Sequence, residues 1–171
     1  MTDPGVPPGR RPVGTCAVAD REAMLALGRR LAAGLRAGDL VLLDGPLGAG
    51  KTTLTQGLAA GLGVPGPVTS PTFVLAREHP AGVGGPGLVH VDGYRLSGFD
   101  ELDDLDLGPA MARCVTVVEW GAGLAEPLGE DRLEITIERC ADDSRQVRWR
   151  GVGPRWAGRR LEPAPQPRSG A

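Results

Sequence analysis

Asparagine is absent from the 171-residue sequence, and lysine occurs once, at Lys51, against eighteen arginines. Cysteine is scarce: Cys16, Cys114 and Cys140 are an odd number, far apart, with no C-x-x-C pair. With only His79 and His90 beside them, neither a disulfide framework nor a zinc site is indicated. No run of eighteen apolar residues occurs, which excludes a transmembrane helix. The first residues, MTDPGVPPGRRPVG, lack the apolar stretch of a secretory signal, so a cytoplasmic protein is expected. The formal charge of −2 argues against retention on nucleic acid or anionic lipid by bulk charge. Hydrophobic residues make up 41% of the chain, enough for one globular core.

Glycine and proline cluster at particular places. Residues 1–14 and 163–171 read as disordered tails around one α/β domain over 15–162. Asp20 is placed to cap a helix carrying Met24, Leu27, Leu31 and Leu35 at helical spacing and stopping near Gly38. Leu40-Val41-Leu42-Leu43 has the all-apolar pattern of a strand buried on both faces. After a glycine-rich loop, Leu54, Leu58 and Leu62 mark a second helix. Strands are expected at 73–76, 88–91 and 115–118, and an acidic helical turn or two at 100–107. Residues 133–138 and 146–150 alternate around a turn and predict an antiparallel hairpin. The expected architecture is a mainly parallel central sheet flanked by helices, with that hairpin C-terminal to it.

The lone lysine falls within Gly45-Pro46-Leu47-Gly48-Ala49-Gly50-Lys51-Thr52, which fits G-x-x-x-x-G-K-[ST]. In such a loop backbone N–H groups wrap phosphates, and side chains at the glycines would obstruct them. Lysine reaches the β- and γ-phosphates as a compact charge on a flexible stem, where the broad guanidinium fork would not fit. This accounts for the one basic position that kept lysine. The candidate phosphate contacts are Leu47, Gly48, Ala49, Gly50, Lys51, Thr52 and Thr53, with the Thr52 hydroxyl also a Mg²⁺ ligand.

Such a site also needs a carboxylate at the end of a neighbouring strand. Asp92 and Glu119 each end a short apolar strand pattern, and the spacing alone does not assign which serves the metal. Thr69-Ser70-Pro71-Thr72 lies where nucleotide-sensing switches occur, so Ser70 and Thr72 are candidate contacts, with an ordinary turn as the alternative. Tyr94 and Trp120 suit packing better than ligand contact. The acidic run at 100–107 lacks a calcium-loop pattern and reads as a solvated face. The arginines from Arg145 to Arg168 suit a solvated hairpin and tail better than a surface for RNA or an acidic protein.

Taken together, GPLGAGKTT (45–53), VTSPTFVL (68–75), HVDGYRL (90–96), DELDDLDL (100–107), VVEW (117–120) and LEITIE (133–138) resemble the TsaE (formerly YjeE) family. The resemblance spans about residues 16–160. It implies a P-loop NTPase fold and an ATP- and Mg²⁺-dependent ATPase of bacterial tRNA threonylcarbamoyladenosine synthesis, working with TsaD-like and TsaB-like partners. Contact with tRNA would be indirect, through that complex, and no membrane is involved. By position, Lys51 and Thr52 match the phosphate and Mg²⁺ contacts, Glu119 the metal carboxylate, and Asp92 a second essential acid. Trp120 matches a functionally sensitive tryptophan, and Ser70 and Thr72 the switch. Lys51, Asp92 and Glu119 are thus the candidate catalytic residues, and Arg145 is a further candidate nucleotide contact. Ala122 departs from the family, which often has a polar residue there.

A small-molecule P-loop kinase is the main rival, but the segment after the second helix lacks the acceptor-binding Asp/Arg set it would need. A GTPase is disfavoured because guanine selection by N-K-x-D needs an asparagine. An ATP-binding assembly subunit with negligible turnover is the third reading.

Overall fold

The computed structural model describes residues 14–71, 75–159 and 161. Seven strands form one sheet: β1 (Gly14–Val18), β2 (Leu40–Asp44), β3 (Ala76–His79), β4 (Gly87–Asp92), β5 (Cys114–Glu119), β6 (Arg132–Arg139) and β7 (Arg145–Val152). Their order across the sheet is β1-β7-β6-β2-β5-β4-β3. The helices are α1 (Arg21–Ala32), α2 (Lys51–Leu62), α3 (Phe99–Asp103) and α4 (Gly108–Arg113).

The sheet is mixed rather than mainly parallel. β6, β2, β5 and β4 run parallel to their neighbours in that group, whereas β1–β7, β6–β7 and β3–β4 pair antiparallel. The reason lies in the connections. A parallel pair needs a long crossover, supplied around β2, β4 and β5 by helices, while β3–β4 and β6–β7 are joined by short loops that reverse the chain. β1 was not legible in the sequence, because GTCAV has no apolar alternation to mark it. The strand expected at 73–76 begins at Ala76, and Thr72, Phe73 and Val74 lie outside the described residues, as do 1–13 and 162–171.

Asp20 caps α1 as expected, its carboxylate accepting the Ala23 N–H at 2.8 Å. α1 closes at Ala32, earlier than its apolar spacing suggested, and Gly34 and Leu35 continue in tighter turns bonded to Leu31 and Ala32. Glycine so near the end weakens the helix. α1 and α2 lie side by side through glycines: a Cβ on Gly28 would sit 2.7 Å from the Gly57 Cα. That close approach holds the middle of α2 against α1.

One core layer packs α1 and α2 on the sheet through Leu27, Leu31, Leu54, Leu58, Val117 and Ile135. The other lies beneath α3 and α4 and holds Leu40, Leu42, Val91, Leu102 and Val118. β2 contributes to both layers, which is why it reads as an unbroken apolar run. Each fully buried leucine contributes about 1.5–3 kcal/mol relative to exposure. Among the described residues no helix is long and apolar enough to cross a membrane.

Candidate functional site

The parallel strands β2, β4 and β5 deliver their last residues to one end of the sheet. Asp92 ends β4 directly opposite Glu119, which ends β5, and Glu119 also neighbours Leu43 of β2. From β2 the chain enters the 45–50 loop and then α2. Gly48 (φ 75°) and Gly50 (φ 107°) hold left-handed conformations in which a side chain would be strained. α2 begins with no side-chain cap and no acidic residue in its first turn, so its leading N–H groups are left for an anion.

Lys51 is buried, and its Nζ donates to the carbonyls of Gly45 at 2.7 Å and Pro46 at 3.0 Å. The ammonium also lies 4.1 Å from the centroid of the Trp120 ring. Burial lowers the Lys51 pKa, opposed by the nearby carboxylates of Glu119, Asp44 and Asp92. Trp120 holds its indole there from a left-handed backbone (φ 58°), and Tyr94 packs against it with tilted rings, 5.1 Å between centroids.

The two carboxylates have different surroundings. Glu119 is buried, and its Oε1 accepts from Thr52 Oγ1 at 3.1 Å and lies 2.9 Å from His90 Nε2. Asp92 is half-buried, and its Oδ1 accepts the Tyr94 N–H at 3.0 Å. A cavity of about 380 Å³ opens between them and the loop, lined by Leu47, Gly48, Gly50, Lys51, Thr52, Thr53, Ser70, Asp92, Tyr94, Glu119 and Trp120. Ser70 is carried there by a segment that Gln56 of α2 anchors, donating to Val68 O at 2.9 Å. Ala49 and Arg145 face a second cavity of about 360 Å³ across the loop, with Asp20, Arg21 and Met24. Arg145 donates to Ala49 O at 3.1 Å and Gly48 O at 3.3 Å, bracing the loop from the β6–β7 turn. Thr72 lies outside the described residues.

The donor set suits Mg²⁺ bound with a polyphosphate. It offers a hydroxyl and two carboxylates, all hard oxygen donors, and leaves other positions to water and phosphate. Among the described residues no group of three or more His, Cys, Asp or Glu is placed to hold a metal ion.

Several participants were missed in the sequence. His90 was set aside because two histidines are too few for zinc, yet it stands two residues before Asp92 and therefore on the same strand face. Tyr94 is 68% exposed at the cavity rim rather than packed inside. Asp44 accepts the Ala122 N–H at 3.0 Å, so the turn that carries Ala122 is held through its backbone. Among the described residues, three of the C-terminal arginines are paired within the fold: Arg148 with Glu138, Arg150 with Glu134, and Arg155, its side chain nearly buried, with Asp39.

A family profile described as "Threonylcarbamoyl adenosine biosynthesis protein TsaE" matches residues 18–147. The chain is similar to the tRNA threonylcarbamoyladenosine biosynthesis protein TsaE of Streptomyces coelicolor, at 61% identity over 139 residues, covering 78% of this chain and 94% of that one. The protein of the same description from Bacillus subtilis is 41% identical over 136 residues, covering 79% and 84%. The crystal structure of Bacillus subtilis YdiB superimposes with a TM-score of 0.67 at 35% identity, covering 86% of this chain and 90% of that one.

Proposed function

The chain belongs to the TsaE family, and from that premise we propose that it binds Mg²⁺-ATP and hydrolyses it as a cytoplasmic subunit of tRNA threonylcarbamoyladenosine synthesis. In this reading it is a P-loop ATPase that acts with TsaD-like and TsaB-like proteins and meets tRNA only through them. The observation that carries the reading is the Thr52–Glu119 contact. It joins the first turn of α2 to the end of β5 across 67 positions of sequence, beside the lone lysine.

The residues divide the work by their chemistry. Lys51 exchanges the Gly45 and Pro46 carbonyls for phosphate oxygens, and the uncapped start of α2 supplies N–H donors. Thr52 and Glu119 hold Mg²⁺, which when bound neutralises charge on the phosphates. Asp92 keeps its second oxygen free of hydrogen bonds among the described residues and orients the attacking water. Hydrolysis breaks the terminal phosphoanhydride and releases ADP and phosphate. Ser70, on the segment that Gln56 anchors, and Thr72 are assigned to sensing the terminal phosphate. Trp120 covers Lys51, and Arg145 stiffens the loop.

Arg145 is committed to loop carbonyls, so a charge-stabilising arginine supplied by a partner is the expected accelerator, worth roughly 10³–10⁵ in turnover. Phosphate release should therefore be slow for the isolated protein and rise when both partners are added. Fast release alone, or stimulation only by a small-molecule acceptor, would refute the reading and favour a kinase.

A further inference from the structure

We propose that His90 is a positioning residue that fixes the Glu119 carboxylate for Mg²⁺, an inference that rests on the Mg²⁺-ATP reading above. His90 is fully buried on β4, and its Nε2 lies 2.9 Å from Glu119 Oε1. A carboxylate oxygen only accepts, so Nε2 carries the proton. Nδ1 is buried without a partner among the described residues, so the ring's hydrogen bond there goes to Glu119.

The geometry gives this bond a purpose beyond packing. Both donors to Glu119, the Thr52 hydroxyl and the His90 ring, converge on Oε1. Oε2 receives no hydrogen bond among the described residues and is the oxygen left for the metal or its water. The Thr52 hydroxyl is itself a metal ligand in this reading, so it serves two partners. Among the described residues His90 bonds Glu119 alone, and the strand register sets its reach: Asp92 pairs with Glu119, so His90, two residues earlier, lies on the same face. A histidine bonded to a ligating carboxylate in this way acts from outside the coordination shell, where loss of the partner typically weakens metal affinity about 10–100-fold.

The test compares His90→Leu with His90→Gln, whose amide nitrogen can occupy the Nε2 position and donate. Binding of a non-hydrolysable ATP analogue to the full chain is measured with and without Mg²⁺, alongside melting of the unliganded protein. His90→Leu should lose roughly tenfold or more of the affinity gained from Mg²⁺ while its Mg²⁺-free binding stays close to wild type. His90→Gln should recover most of that loss. An unchanged Mg²⁺ gain in His90→Leu, or an equal loss with and without Mg²⁺, overturns the assignment. Should His90→Leu not fold, His90→Asn, too short to reach Oε1, takes its place under the same criteria. Wild-type protein that shows no Mg²⁺-dependent binding would instead refute the underlying nucleotide reading.

Discussion

Lys51 and Trp120 form a closed pair: the lysine ammonium sits 4.1 Å from the indole centroid while its protons go to Gly45 and Pro46. The single lysine of the chain is thus held by uncharged acceptors and a ring face, from which an anion must draw it away. Charge-assisted hydrogen bonds contribute about 1.5–3 kcal/mol each, so Lys51→Ala should weaken ATP binding on the order of 10–100-fold. Lys51→Arg should also be impaired, because its broad fork does not fit where Nζ reaches two adjacent carbonyls. Undiminished affinity in Lys51→Arg, measured by titration calorimetry, would remove the steric explanation for the lone lysine.

Trp120 adopts a left-handed backbone that favours glycine. Trp120→Ala and Trp120→Gly both remove the indole, but only alanine retains the strain of a Cβ at that φ. Trp120→Gly should therefore be more stable than Trp120→Ala by about 1 kcal/mol, read from denaturant midpoints. Equal stabilities would show that the turn relaxes once the ring is gone.

Asp44 gives a pH dependence. Burial raises its pKa above the ordinary carboxylate value, as do Glu126 and Glu134, while the Ala122 N–H and Lys51 pull it down. A raised folded-state pKa means that folding favours the protonated form. Its contribution is complete below the unfolded pKa, about 4, and is lost as pH rises through the folded value. At neutral pH the charge is a burden, and Asp44→Asn keeps an acceptor for Ala122 without it. The variant should melt a few degrees above wild type near pH 7, with the advantage shrinking as pH falls towards about 4. A pH-independent difference would assign the effect to packing.

The Arg155–Asp39 pair ties the turn after β7 to the start of β2, at 2.7 Å between Nη2 and Oδ2, with both side chains nearly buried. Asp39→Ala leaves a buried guanidinium without its anion and should cost about 3–5 kcal/mol by chemical denaturation. Replacing both residues by apolar ones of similar size should recover most of that loss, because the pair's own desolvation is then removed as well. Failure of the double variant to recover would show that Arg155 is needed for its further bond to Gly34 O.

The phosphate loop, the two strand-end acids and the helix capped by Asp20 were legible because each is a local pattern. Lys51, Asp92 and Glu119 carry types and spacings from which their meeting at one cavity could be expected before any fold is known. What the sequence could not show is set by register and by long-range pairing. β1 contains one buried side chain, Val18, and exists because β7 offers it an edge. The antiparallel β6–β7 hairpin was foreseen, but the antiparallel pairings of β3 with β4 and of β1 with β7, which make the sheet mixed, were not. His90 gains its meaning only from the pairing of Asp92 with Glu119, and Arg145 from a turn that folds back 96 positions onto Ala49.

Arg145 supports the last prediction. Its guanidinium bonds Ala49 O and Gly48 O and is held in turn by Asp143, so it either braces the loop, contacts the nucleoside end of ATP from the second cavity, or does both. Net hydrogen bonds of this kind contribute about 1 kcal/mol each, so Arg145→Ala should weaken ATP binding by roughly 10–30-fold. Inorganic triphosphate separates the two roles because it engages the loop without a base or ribose. If bracing is the whole effect, Arg145→Ala weakens ATP and triphosphate by the same factor. If the side chain also meets the nucleoside, ATP loses more. Arg145→Lys keeps the charge but cannot span two carbonyls with one planar fork, so it should behave like alanine towards triphosphate. Full triphosphate affinity in Arg145→Lys would mean that positive charge near the loop, rather than the bracing geometry, is what matters.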